Sequence, residues 1–286
     1  MEKDLLNRML GLYADEEVAG FSKNAADFAN PCYILTTTEG NKYALRVLGV
    51  QTPANARFET TLQARLAAHG IQTPRYLVLK NGDTVGEVDG NFFTLAPFIE
   101  GKRPSTITLA LVEDFGATLA TLHVALEGVE VETNEVQWLN PTNVELEIEK
   151  CDPVYKGPFK EKLKSIALFK TDLPKAVIHA DLGLGNVFAT HDRIETVFDF
   201  ETAEYSYRIL DIAATYLFFS FDDVFLKEDI LGAIIRGYNR HATQKITDEE
   251  LAHLPEAIQY VAIACGAWSA SRGLTESAQK FLNLAV

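Results

Sequence analysis

The chain has 286 residues, with 26 Lys and Arg against 40 Asp and Glu, a net charge of −14. That sign excludes a protein built to grip nucleic acid and a polybasic membrane anchor, because both need clustered Lys and Arg. A hydrophobic share of 47% supports a large core, so bulk disorder is excluded too. A small phosphate site stays open, since it needs only a few local donors and a metal ion. Cys32, Cys151 and Cys265 are scattered and form no CxxC pair. That argues against a disulfide framework or a zinc site and for a reducing, cytoplasmic setting. The start Met1-Glu2-Lys3-Asp4 has no leader pattern, and no run of about 18 apolar residues occurs. The expectation is a soluble cytoplasmic protein.

In chain order, Cys32–Thr38 is β-branched and apolar, Glu39-Gly40-Asn41 is a turn signal, and Lys42–Leu48 alternates. This reads as a hairpin. A helix follows over Arg57–His69, with Phe58, Leu62 and Leu66 on one face and Gly70 as its stop. A second hairpin is expected over Arg75–Leu79 and Thr84–Val88, then a strand over Phe92–Ile99. Past Glu100-Gly101-Lys102 the texture turns helical. Ser105 is placed to cap a helix carrying Leu111, Phe115, Leu119 and Leu122. Residues 124–172 read as helices with long loops. Ala176–Ile178 and Val197–Phe200 are short strands around a loop of small residues. From Leu210 the chain is helical, with Leu210, Ala214, Leu217 and Phe221 sharing a face. The fold class is α+β: a small β-rich lobe over residues 1–98 and a larger α-helical lobe over residues 99–286.

The sharpest signal is His179-Ala180-Asp181-Leu182-Gly183-Leu184-Gly185-Asn186, followed by Asp199-Phe200-Glu201. Two carboxylates and one amide oxygen form a hard-oxygen set suited to Mg²⁺, which takes few protein ligands and leaves room for phosphate oxygens. A carboxylate free beside that pair can accept a proton from an attacking hydroxyl. Protein kinases use this layout. Asp and Asn in such a loop are also ordinary turn formers.

The set resembles the aminoglycoside phosphotransferase/choline kinase superfamily, small-molecule kinases that share the protein-kinase-like, two-lobed fold. The resemblance implies Asp181 as catalytic base, Asn186 and Asp199 as metal ligands, and His179 as a brace of the loop. It implies ATP and Mg²⁺ as cofactors. Arg46 stands where kinases carry the phosphate-holding Lys, and Glu59 on the next helix is its expected partner. Glu59, Leu62, Leu66, Gly70 and Pro74 follow the family's order. Arg for Lys is a departure from protein kinases, though its planar donor fork suits phosphate or a carboxylate. The phosphate-covering loop departs more. Gly20-Phe21-Ser22-Lys23-Asn24 and Phe28-Ala29-Asn30-Pro31 hold no G-x-G-x-x-G. Asn30 loosely fits a nucleotide-side turn and equally fits an ordinary one. Ala96 and Phe98 lie in the connector whose backbone holds adenine in the family.

In the second lobe, His123 at a Leu-x-x-Leu-His helix end reads as packing. The family uses an Asp at the position of Asp211 to hold the catalytic loop, while a helix N-terminus also favours Asp there. Gly237-Tyr238, Leu251–Pro255 and Trp268–Arg272 resemble type II homoserine kinases. Asp199-Phe200-Glu201 for their Asp-Phe-Tyr and Ala29-Asn30-Pro31 for their Glu-Asn-Thr are departures. The expected activity is phosphoryl transfer to a small hydroxylated molecule, homoserine or a similar amino alcohol, with aminoglycoside, choline or sugar as alternatives. An inactive kinase-like binding module is the reading from another class. Glu201, Tyr205, Trp268 and Arg272 are acceptor-site candidates that equally suit packing or ion pairs. Neither nucleic acid nor membrane is an expected partner.

Overall fold

A computed structural model describes residues 2–24, 30–132, 136–220 and 227–285. The chain divides into two compact units, Met1–Gly101 and Lys102–Val286. No helix among the described residues is long and apolar enough to cross a membrane.

The first unit contains α1 (Lys3–Leu10), β1 (Val18–Lys23), β2 (Cys32–Thr37), β3 (Lys42–Val47), α2 (Pro53–Ala68), β4 (Gly86–Val88) and β5 (Asn91–Pro97). The strands form one antiparallel sheet in the order β1-β2-β3-β5-β4. Alternation decides its faces. Tyr33, Leu35, Leu45, Phe93 and Leu95 point one way and bury against Leu6, Met9 and Leu10 of α1. Arg46, opposite Thr94 in register, points the other way, toward α2. Thr52 caps α2 by accepting from the Asn55 N–H at 3.2 Å, with Pro53 at the first helical position. The helix thus begins four residues before the expected Arg57.

Three elements of this unit differ from the sequence reading. Helix α1 and strand β1 were not anticipated. Arg75–Leu79 is not a strand: it is tied to β5 by the Leu77 N–H to Leu95 carbonyl bond at 2.7 Å without a ladder. The expected Phe28 and Ala29 of the phosphate-side loop lie outside the described residues.

The second unit contains α3 (Leu109–Ala125), α4 (Pro141–Glu149), α5 (Pro153–Ser165), β6 (Lys175–Ile178), β7 (Val187–Ala189), β8 (Ile194–Val197), β9 (Glu204–Tyr207), α6 (Ile209–Phe219), α7 (Lys227–His241), α8 (Asp248–Ser271) and α9 (Thr275–Leu284). Thr108, not Ser105, caps α3, accepting from the Leu111 N–H at 3.0 Å. Helices α3 and α7 meet backbone to backbone at two glycines. A Cβ on Gly116 would lie 2.0 Å from the Ile234 carbonyl oxygen, and one on Gly237 1.8 Å from that of Glu113. Residues 124–172, read from the sequence as helices with long loops, supply α4 and α5, which pack on α8. The expected fourth residue of the α6 face, Phe221, lies outside the described residues. Two short antiparallel pairs, β6 with β9 and β7 with β8, carry the loops that contain His179, Asp181, Asn186 and Asp199.

Candidate active site

Strand β6 ends at Ile178 and delivers His179, Ala180 and Asp181 into a loop that returns along β7. The loop is held from three sides. Asp211, fully buried on α6, accepts the His179 N–H at 2.8 Å and the Ala180 N–H at 2.7 Å. Thr202 Oγ donates to the His179 carbonyl at 3.1 Å, and Thr215 Oγ to that of Leu182 at 2.9 Å. The His179 ring accepts the Asp181 N–H at Nδ1, 3.3 Å, so its proton is on Nε2, which donates to the Phe198 carbonyl at 2.8 Å. Both ring nitrogens are therefore engaged with backbone, and His179 braces the loop.

Asp211 is the hub of a longer network. A carboxylate only accepts, so His123 Nε2 donates to it, at 3.0 Å, while Nδ1 meets the Tyr238 hydroxyl at 2.8 Å. Tyr238 lies under the Arg208 guanidinium, 5.6 Å from its ring centroid. Arg208 is locked bidentate to buried Glu250, with both contacts at 2.7 Å. The loop of His179–Asp181 is thereby anchored to α3, α6, α7 and α8.

Two non-glycine residues in the left-handed region bracket the site, Ala180 at φ 68° and Asp199 at φ 62°. Each costs on the order of 1 kcal/mol, and such strain persists only where the surroundings over-determine it. Here the bonds to Ala180 N–H and to both His179 backbone groups do so. Strand β8 stops at Val197, three residues short of the expected end at Phe200, and Asp199 takes the turn instead.

Asn186 and Asp199 reach the same end of the β7–β8 hairpin. Val187 pairs with Val197, and the Phe198 N–H donates to the Asn186 carbonyl at 2.8 Å. Asn186 Nδ2 donates to the Asp181 carbonyl and to Asp181 Oδ2, both at 2.8 Å. With Nδ2 so committed, Oδ1 remains to face a cation. No group of three His, Cys, Asp or Glu side chains among the described residues could enclose a metal by itself. An amide oxygen and a carboxylate fit a hard cation that fills its other positions with phosphate and water oxygens. Burial pushes the half-buried Asp181 carboxyl up to about 6; Asp199 and Asp211 add to the shift, and His179 and the Asn186 amide oppose it.

In the first unit, Arg46 Nη1 lies 3.2 Å from Glu59 Oε2 and 3.1 Å from the Tyr76 hydroxyl. The Glu59 side chain is only 2% exposed; Tyr76 donates to it at 2.9 Å and Gln51 Nε2 at 3.0 Å. Tyr76 and Gln51 carry no sequence signal for this role, because only the fold brings them to Glu59. Asn30 is buried, and its Oδ1 accepts the N–H groups of Gly49, Val50 and Gln51 at 2.9, 3.1 and 3.2 Å. It braces the turn into α2. Ala96 pairs with Ala44, and Phe98 lies under Lys42, 5.8 Å from Nζ.

The acceptor candidates separate. Glu201 is half-buried two residues past Asp199. Tyr205 is exposed and lines a groove of about 740 Å³ with Val124, Glu127, Lys175 and Arg208. Trp268 and Arg272 stack on each other at 4.4 Å. Glu147, absent from the sequence candidates, bonds to Arg272 from α4. Another residue the sequence did not flag is Glu204, buried with both carboxylate oxygens unbonded.

The family model of the phosphotransferase enzyme family matches residues 20–244. The homoserine kinase of Granulibacter bethesdensis is 28% identical over 270 residues, covering 91% of this chain and 83% of that one. That of Zymomonas mobilis is 28% identical over 259 residues, covering 86% and 79%. Among solved structures, an amicoumacin kinase in complex with AMP-PNP, Ca²⁺ and its ligand superposes with a TM-score of 0.82 at 15% identity, covering 99% of this chain and 94% of that one. A spectinomycin phosphotransferase with ADP and spectinomycin gives 0.67 at 13%, covering 99% and 97%. The sheet-bearing first unit and helical second unit are those of this kinase-like fold, and the chain belongs to the phosphotransferase enzyme family.

Proposed function

We propose that the protein transfers the γ-phosphoryl group of ATP to the hydroxyl of a small amino-bearing alcohol, homoserine first among them. The acceptor oxygen attacks the γ-phosphorus. The bond from that phosphorus to the β–γ bridging oxygen breaks, ADP leaves with the electron pair, and the hydroxyl proton passes to Asp181. Asp181 must be ionised to take it. Asn186 Oδ1 and the Asp199 carboxylate would hold Mg²⁺, which supplies positive charge against the phosphate oxygens. Arg46, positioned by Glu59, offers guanidinium donors to phosphate. The fixed backbone around Asp181 keeps the base in place, which is the main contribution a protein makes to phosphoryl transfer.

The observation that carries this proposal is the strained loop. A turn built for connection has no need of two left-handed non-glycine residues clamped by a fully buried aspartate. The name shared by the sequence relatives supports homoserine, and the nucleotides in the two structural relatives support ATP. Thermal unfolding with ATP, with and without Mg²⁺, combined with ADP release over amino alcohols, aminoglycosides, choline and sugars, tests it. Mg²⁺-dependent stabilisation by ATP and turnover on an amino alcohol are expected. Asp199→Ala should lose that stabilisation; equal ATP binding and hydrolysis by this variant would overturn the metal assignment. ATP binding with no acceptor phosphorylated would favour the binding-module reading.

A further inference from the structure

Arg46, Glu59 and the Tyr76 hydroxyl form a closed triangle in the first unit. Arg46 Nη1 lies 3.2 Å from Glu59 Oε2 and 3.1 Å from the Tyr76 oxygen, and that oxygen lies 2.9 Å from Glu59 Oε2. The chemistry of the three groups orders the protons. A guanidinium only donates and a carboxylate only accepts, so the phenol accepts from Arg46 while it donates to Glu59. Of the three groups, the phenol alone can do both. Burial, then the Glu59 charge, pushes the phenol pKa up, so Tyr76 keeps the proton that this order needs.

The ion pair by itself aims the arginine poorly. Arg57 holds Asp83 through Nε at 2.9 Å and Nη2 at 2.7 Å, and Arg208 holds Glu250 through the same two atoms, both at 2.7 Å. Two nitrogens on one carboxylate fix the plane of a guanidinium. Arg46 meets Glu59 through Nη1, at 3.2 Å to Oε2 and 3.4 Å to Oε1. Contact through one nitrogen leaves the planar head able to rotate about it. The Nη1 group carries two hydrogens in the guanidinium plane, and sharing them between Glu59 and Tyr76 removes that rotation. Gln51 Nε2 donates to the same Glu59 Oε2 at 3.0 Å, which keeps the carboxylate from turning to a closer grip.

The fold delivers the phenol to this place. Strand β4 leaves β5 at Phe93, and the Leu77 N–H takes the edge beyond it, bonding to the Leu95 carbonyl at 2.7 Å. Neighbouring residues of an extended segment face opposite ways. Leu77 packs on the core shared by the sheet and α1, so Tyr76 turns to the other face, where Arg46 and α2 lie. The Tyr76 N–H donates to Oε1 of Gln63, buried on α2, at 3.4 Å. Arg75–Leu79 is thus pinned to the helix at one residue and to the sheet at the next, which a continued ladder would not provide.

We propose that Tyr76 is a positioning residue for the nucleotide's phosphates: its hydroxyl, bridging Glu59 and Arg46, sets the plane in which Arg46 presents its donors. The proposal rests on the kinase reading above and adds a residue to its phosphate grip. Glu59 neutralises the arginine, and Tyr76 gives it direction. A planar donor fork recognises phosphate through that direction as well as through its charge.

The test is calorimetric titration of the parent, Tyr76→Phe, Arg46→Ala and the double variant with ATP plus Mg²⁺ and with adenosine. Phenylalanine keeps the ring and removes only the hydroxyl. ATP binding should weaken about 10-fold in Tyr76→Phe, the scale of one hydrogen bond to a charged group. Adenosine, which carries no phosphate, should change by less than about 2-fold. In the Arg46→Ala background, Tyr76→Phe should shift ATP binding by less than about 2-fold, because the group it orients is gone. In turnover with an accepted alcohol, KM for ATP should rise in Tyr76→Phe while kcat stays within about 3-fold. An equal loss for ATP and adenosine would make Tyr76 a support of the fold and overturn the proposal. So would an undiminished effect in the Arg46→Ala background, or unchanged ATP binding in Tyr76→Phe. Each of these leaves the kinase reading standing, whereas a parent that binds no ATP overturns both.

Discussion

Glu204→Gln should stabilise the protein, and by more as pH rises. Glu204 sits on β9 opposite Ile178 of β6, the residue that leads into the loop of the proposed base Asp181. It is 3% exposed and neither carboxylate oxygen has a hydrogen-bond partner among the described residues. Burial first, then the charge of Asp211, raises its pKa from 4.5 to about 8, while the Ser206 hydroxyl, outside bonding geometry, opposes. The folded protein therefore keeps a proton that the unfolded chain releases above pH 4.5. Stability falls as pH rises between those values, by about 1.4 kcal/mol per pH unit where the difference is complete. The resulting penalty is about 1 kcal/mol at pH 5 and about 3 kcal/mol at pH 7. Glutamine keeps the shape, never ionises, and carries a pH-independent cost of its own. The difference in unfolding free energy between variant and parent should thus grow by about 2 kcal/mol from pH 5 to pH 7. Urea unfolding at pH 5, 6 and 7 reads this directly, and thermal scans should show it as a gain of about 4–8 °C. Parallel stability curves across that range would mean that Glu204 is ionised and solvated, and would refute the reasoning.

Asp181→Asn should lower kcat by about 100- to 10,000-fold, the usual contribution of a positioned base, with ATP binding retained in a thermal-shift titration. Arg46→Ala removes the cation beside the Glu59 carboxylate, which is 2% exposed and also meets Tyr76 and Gln51. A loss of about 3 kcal/mol is expected in urea unfolding, with a smaller loss for Arg46→Lys. Gly237→Ala places a methyl 1.8 Å from a backbone carbonyl oxygen. Helices α3 and α7 must separate, so the urea midpoint should fall by the equivalent of about 2 kcal/mol or more; an unchanged midpoint would show that the helices are not locked there.

The candidate site was legible because its residues are encoded at short spacing. Asp181, Asn186 and Asp199 sit in one loop-and-hairpin segment, and strand pairing over so few residues leaves little freedom in how they meet. The Arg46–Glu59 pair was legible for a similar reason, a strand followed by one helix. The same local logic failed where signals were weak. Arg75–Leu79 has strand composition but makes no ladder, and Thr108 caps α3 where Ser105 was also chemically suitable. Helix α1 has Leu6, Met9 and Leu10 at helical spacing, yet a helix of 8 residues is marginal until those side chains find the sheet.

The sequence by itself determined which residues could do phosphoryl-transfer chemistry and in which order the elements carry them. Tertiary structure decided what fixes those residues and what surrounds them. Asp211 holds loop backbone 31 and 32 residues away, His123 reaches Asp211 over 88, and Glu147 tethers Arg272 over 125. Glu204 is buried by packing that places no hydrogen-bond donor from the described residues against its carboxylate. Local spacing constrains backbone dihedrals over a few residues, whereas such partnerships arise from which buried faces close on one another, and that is settled by the whole core at once.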